Sequence, residues 1–178
     1  MTIIAGNQLN TTIGKFGIFT PRKSLNYAQY AGGLEAFDAV IDPGSMFAAS
    51  IPTNIHLRPG GVEISIMHKF KLHKIGLRSS DIISVHIENK DSITENKEKS
   101  VIGRALVGGL FFGPIGAIIG GLTGIDTQRS IILAFDIILT LTYLDNGLKK
   151  AAVFTCKHDK KAALYKGALA VFGSKLML

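Results

Sequence analysis

Over much of the chain apolar and polar residues alternate with a period of two, the pattern of strands that bury one face. Asn54 to Leu57 leads into Arg58-Pro59-Gly60-Gly61, a tight turn signal. Val62, Ile64 and Ile66 then alternate with Glu63, Ser65 and Met67, which predicts a hairpin. Lys69 to Leu77 alternates again, with Phe70 and Leu72 set against Lys69, Lys71 and His73. Ser79-Ser80-Asp81 turns into Ile82 to Asn89, where Ile83, Val85 and Ile87 alternate with Ser84, His86 and Glu88. Residues 91–100 are polar and charged and read as a solvated loop.

The same period returns late in the chain. Ile131 to Tyr143 is rich in Ile, Leu and Thr, and its β-branched content favours a strand, with Asp136 marking a bulge or bend. Leu144-Asp145-Asn146-Gly147 is a hairpin turn signal, and Lys150 to Cys156 is the return strand. The period then changes. Leu164, Ala168, Val171 and Phe172 form an apolar stripe at helical spacing, with Asp159 as candidate N-cap and Gly173 as terminator. Residues 1–50 carry weaker signals: a strand over Ile13 to Thr20, a short helix around Ser24 to Tyr30, and a turn at Asp42-Pro43-Gly44.

Between the two sets of strands lies a segment with neither pattern, VIGRALVGGLFFGPIGAIIGGLTGI, residues 101–125. Small residues recur on both sides of Pro114: Ala105, Gly109 and Gly113 before it, Gly116, Gly120 and Gly124 after it. On a helix such spacing leaves a groove without side chains that another helix can approach closely. Pro114 is a natural breaker, so the simplest reading is a hairpin of two short glycine-zipper helices. Each arm has about ten residues, roughly 15 Å of helix. A bilayer core is about 30 Å thick, so neither arm spans alone. The segment is then a hairpin that packs on protein or dips into lipid, one spanning helix kinked at Pro114, or a loop. Glycine costs about 1 kcal/mol per helical site relative to alanine, so helicity here needs a partner in the groove.

Composition narrows the picture. A chain of 178 residues with 47% hydrophobic residues holds one domain, or one domain with an insertion. The expected division is an irregular N-terminal segment over residues 1–50 and a domain over 51–178 that contains the zipper. The net charge of +7 favours anionic partners such as a membrane surface. Nucleic acid lacks support, because no RNA-binding aromatic motif, zinc finger or helix-turn-helix pattern is present. One cysteine, Cys156, excludes an intramolecular disulfide framework, and the N-terminus lacks the charged start and long apolar run of a secretory signal. The expected location is the cytoplasm, with membrane association open.

Candidate chemistry is sparse. His56, His68, His73, His86 and His158 fit no metal spacing, and His68 and His73, placed five apart on a strand, would point to opposite faces. Asp38 and Asp42 form an i, i+4 carboxylate pair only if helical, and the nearby glycines and proline argue for loop. Cys156, next to Phe154 in apolar sequence, reads as core. No catalytic constellation, metal site or cofactor is implied. The best ligand candidate is the cationic group Lys69, Lys71 and His73 with Lys74 and Arg78 following. Such a surface can hold a phosphate or an anionic bilayer at about 1 kcal/mol per charge near the membrane. Lysines on an exposed strand also serve simply to block edge pairing.

With these elements in place the sequence resembles the bacterial pleckstrin-homology-like domains, including the related GRAM type. The resemblance is carried by LHKIGLRSSDIISVHIE, by the insertion GRALVGGLFFGPIGAIIGGLTG, and by the closing module LTLTYLDNGLKKAAVFTCKHDKKAALYKGAL, and it covers roughly Ile51 to Phe172. It implies an α+β fold: a mostly antiparallel β barrel with a glycine-rich helical hairpin insertion and a C-terminal capping helix. It further implies a bacterial or phage source and a non-enzymatic binding module for acidic headgroups, peptides or other subunits. The expected function is a binding or assembly module that self-associates or packs through Ala105, Gly109, Gly113, Pro114, Gly116, Gly120 and Gly124, with another copy or a protein as partner. The alternative is a membrane-active protein that inserts the zipper, and with it Ile131 to Tyr143, into a bilayer, with Lys97, Lys99, Arg104 and Arg129 at the interface.

Overall fold

A computed structural model describes residues 3–17, 21–41, 51–89 and 137–177. The alternating segments form strands there: β1 (Ile4–Ala5), β2 (Ser24–Gly32), β3 (Ile51–Arg58), β4 (Gly61–His68), β5 (Lys71–Arg78), β6 (Ile82–Asn89), β7 (Ile137–Asp145), β8 (Leu148–Cys156) and β9 (Leu176–Met177). They lie in one sheet in the order β1-β5-β4-β3-β2-β8-β7-β6-β9. Neighbours are antiparallel except β6 and β9. Two runs of successive antiparallel strands, β2 to β5 and β6 to β8, are joined where β2 pairs with β8. The described sheet ends in two short strands, β1 and β9, that do not pair with each other, so it is mostly antiparallel but not a closed ring.

One face supplies the main core. Leu25, Tyr30, Ile55, Ile64, Ile75, Leu77, Val85, Leu139, Leu141, Tyr143 and Phe154 pack together with the helix α3 (Lys161–Phe172). The helical stripe is as expected: Leu164, Ala168, Val171 and Phe172 are buried, and Gly173, with φ of 53°, ends the helix. Gly167 lets α3 lie directly on β2, because a Cβ there would stand 2.9 Å from the Leu25 Cα. Asp159 does not cap. It lies in a short 3-10 turn, His158–Lys160, and pairs with the Lys160 side chain, while the N-cap position falls on Lys160 without a side-chain bond.

Several expectations change. Ser24 to Tyr30 is strand, not helix. A β-bulge between Leu25 and Ala28, with Tyr27 at φ of 69°, spaces the buried Leu25 and Ala28 three apart and so imitates a helical stripe. This strand sits between β3 and β8, so the sheet begins well before residue 51. Leu9–Thr12 forms the short helix α1, and residues 13–17 lie in no strand. In β6 an irregularity between Ile82 and Ser84 turns Ile82, not Ile83, into the core. The β7 strand begins at Ile137, and Ile137–Tyr143 is buried between β6 and β8, while residues 131–136 lie outside the described residues.

The N-terminal segment covers the second face of β4 and β5. β1 pairs with β5, and Ile4, Leu9 and Ile13 form a small cluster of their own. This cover explains why Glu63 and Ser65, placed on the polar face by sequence, are both buried.

Residues 90–136 leave the sheet between β6 and β7. Asn89 and Ile137 are register partners, so the chain departs and returns at neighbouring points of one ladder. The zipper residues Ala105, Gly109, Gly113, Pro114, Gly116, Gly120 and Gly124, Asp42-Pro43-Gly44 and residues 18–20 lie outside the described residues. Among the described residues no helix is long and apolar enough to cross a membrane.

Candidate functional site

Among the described residues, the β4–β5 hairpin gathers three exposed large apolar side chains, Met67, Phe70 and Leu72. Its last ladder pair is His68 with Lys71, and Lys69 and Phe70 alone make the turn. A two-residue turn that matches strand twist requires φ > 0 at both central residues. Lys69 and Phe70 have φ of 47° and 60°, a region that glycine or asparagine fills at far lower cost. Phe70 is fully exposed at this tip, and Met67 and Leu72, cross-strand partners directly behind it, are half exposed. An aromatic ring held in solvent by a strained backbone is the kind of outlier that points to function.

Of the four cations and one histidine expected to form one face, the fold brings three residues to this tip. Lys69 is in the turn, Lys71 follows it, and His73 shares the face of Lys71 two residues on. Lys74 points to the opposite face, where its Nζ lies 3.2 Å from Glu63 Oε1. Arg78 stands at the other end of β5, opposite Gly61. His68 and His73 share a face, contrary to the single-strand expectation, because the turn between them restores the parity: Ile66 pairs with His73 and His68 with Lys71. Sequence alternation counted Phe70 among strand residues, because Lys-Phe carries none of the usual turn chemistry. The signal available was length, since residues 62–78 exceed any ordinary single strand.

Beneath the N-terminal segment lies a buried ionic cluster. Arg58 donates through Nε and Nη2 to Glu63 Oε2, and through Nη1 to Asn10 Oδ1 at 2.9 Å and to the Gly14 carbonyl at 2.7 Å. Burial alone would raise the Glu63 pKa, but hydrogen bonds from Arg58 and Lys74 hold it below the usual carboxylate value. The cluster ties residues 10–14 to the sheet and is structural in this position.

The other titratable groups are also absorbed by the fold. The Tyr30 hydroxyl donates to Asp38 Oδ1 at 2.6 Å and accepts from the Leu34 N–H, and Asp38 also accepts from the Gly33 N–H. Asp38 lies in the short helix α2 (Glu35–Asp38) and holds the bend, while Asp42 lies outside the described residues. Tyr143 donates to the Gly33 carbonyl at 2.8 Å. Cys156 is buried, and burial raises its thiol pKa. Among the described residues no group of three or more His, Cys, Asp or Glu could hold a metal ion.

The family model described as "Glycine zipper containing PH domain" matches residues 52–155. These residues run from β3 through β8 and include the segment 101–125. No curated protein matches the sequence.

Proposed function

The chain belongs to the family of glycine zipper containing PH domains, and from that premise we propose that it is a non-enzymatic binding module that seats the β4–β5 hairpin tip on an anionic membrane surface. The observation that carries this reading is Phe70, fully exposed between Lys69 and Lys71 with Met67 and Leu72 behind it. An apolar tip flanked by cations is suited to the headgroup region, where the ring enters the acyl boundary and the ammonium groups meet lipid phosphates. Each lysine contributes about 1 kcal/mol near such a surface.

Cosedimentation with vesicles tests it. Binding to phosphatidylcholine vesicles should rise when phosphatidylserine is added. It should fall roughly tenfold or more in the K69S/K71S variant. Equal binding to neutral and anionic vesicles, or full binding by the variant, refutes the reading.

A second reading concerns the zipper and rests on the outer face of β7 and β8. Thr140, Thr142, Ala151, Val153 and Thr155 are small, buried, and outside the main core cluster. Ile138, the register partner of Thr155, shares this face, which is otherwise of modest side chains and suited to approach by Ala105, Gly109 and Gly113, or by Gly116, Gly120 and Gly124, across Pro114. In this reading the zipper rests on its own sheet and, when released, joins a second copy or a bilayer.

A further inference from the structure

A separate site lies where the chain enters β2. A cavity of about 430 Å³ is lined by Lys15, Phe16, Arg22, Lys23, Arg58 and Ser79 among others. That volume falls within the range of small-molecule sites, roughly 300–1,000 Å³. None of its lining residues is acidic. Lys15, Arg22 and Lys23 make no ion pair among the described residues. Concentrating three unpaired cations around one concavity focuses positive potential into it and favours an anion there.

The wall behind these cations is rigid. Arg58 is fixed by Glu63, Asn10 and the Gly14 carbonyl, and its guanidinium carbon stands 4.1 Å from the Phe16 ring centroid. The Arg22 guanidinium carbon stands over the same ring at 4.6 Å. These contacts hold Arg22 against an aromatic platform, and among the described residues its guanidinium makes no ion pair. Ser79 adds a hydroxyl donor. His56 stands beside this wall. It packs against Phe16 at 6.0 Å, and its pKa is lowered. Burial is the largest cause, Glu63 opposes it, and Arg22, Lys74 and Arg58 each add to it.

We propose that this cavity binds a small phosphate-bearing ligand, with Arg22, Lys23 and Lys15 on the phosphate oxygens and Phe16, Leu57 and Pro59 against the group that carries it. A phosphate carries more oxygens and more negative charge than a carboxylate to set against one guanidinium fork and two ammonium groups. The site is independent of the hairpin tip and does not rest on its reading.

The test is a titration of the full chain with inorganic phosphate and with glycerol 3-phosphate, followed by amide chemical shifts, beside cosedimentation with phosphatidylcholine vesicles with and without phosphatidic acid. Arg22 and Lys23 are exposed, so R22Q/K23Q should leave the fold intact, which its own spectrum verifies. Saturable shifts at Lys15, Arg22, Lys23 and Ser79, weakened about tenfold or more by R22Q/K23Q and unchanged by K69S/K71S, support a soluble phosphate ester. Loss of the phosphatidic acid binding that remains in K69S/K71S when R22Q/K23Q is added, without a response to the soluble phosphates, supports a lipid headgroup as source. If soluble phosphates and phosphatidic acid vesicles both bind R22Q/K23Q as well as the unmodified chain, or neither binds either protein, the proposal fails.

Discussion

The Tyr30 hydroxyl and the Asp38 carboxylate share a 2.6 Å hydrogen bond across the bend that closes β2. The same hydroxyl accepts the Leu34 N–H at 2.7 Å, so one oxygen satisfies two groups in a buried corner. Tyr30 also packs edge-on against Phe37 and Phe154. Tyr30→Phe keeps the ring contacts and orphans both partners. It should lower unfolding stability by about 1–3 kcal/mol in urea titration. A change within experimental error would mean that water takes over the hydroxyl's role.

Phe70→Gly should separate stability from binding. Glycine relieves the left-handed backbone at φ of 60° and removes the exposed ring. Unfolding stability should rise by about 1 kcal/mol, while sedimentation with anionic vesicles falls. Loss of both together would identify the ring as part of the folded structure rather than a contact held out to a partner.

Glu63 sets an acid limit. Its carboxyl is held below the ordinary value in the folded chain, by Arg58 and Lys74 against the opposing effect of burial. Its stabilising contribution is therefore complete above about pH 4.3, the unfolded value, and is lost as pH falls through the lower folded value. Glu63→Gln leaves Arg58 buried without a counter-charge and should cost about 3 kcal/mol at neutral pH. That gap should close in acid. Unfolding curves of both proteins at neutral and acid pH check it, and a constant gap would show that the Glu63 charge is not what matters.

Replacing residues 101–125 by a glycine-serine linker should leave the sheet folded. If the zipper rests on Thr140, Thr142, Ala151 and Val153, the replacement uncovers them and increases the fluorescence of a hydrophobic dye. Gly109→Leu and Gly120→Leu should block close approach, and light scattering would then report a change in solution mass if copies join through the zipper. Dye and mass signals that stay constant in all three variants would remove both roles.

Much of the sheet was legible because apolar residues alternate in the sequence of β3 and β4 and because glycine or asparagine marks the turns at Pro59-Gly60 and Asn146-Gly147, although burial itself alternates only in β3 and is nearly continuous in β4, β7 and most of β8. The helix α3 was legible from Leu164, Ala168, Val171 and Phe172 for the same reason. Legibility failed where the chain departs from its own period. The bulge at Tyr27 gave β2 a helical spacing, and the Lys69-Phe70 turn uses residues that carry no turn signal. The cavity at Phe16 was invisible for a different reason. Lys15, Arg22 and Lys23 are ordinary surface cations in sequence, and only the β3–β4 and β5–β6 turns, which bring Pro59 and Ser79 beside them, make a concavity.

The pairing of Asn89 with Ile137 makes the zipper a cassette. A ladder that closes immediately below an insertion senses little of the insertion's length, because each doubling of a flexible loop costs only about 0.6 kcal/mol in closure entropy. The stability of the sheet is therefore expected to depend little on the length of residues 90–136, and adding or removing a few residues there should leave its unfolding curve nearly unchanged.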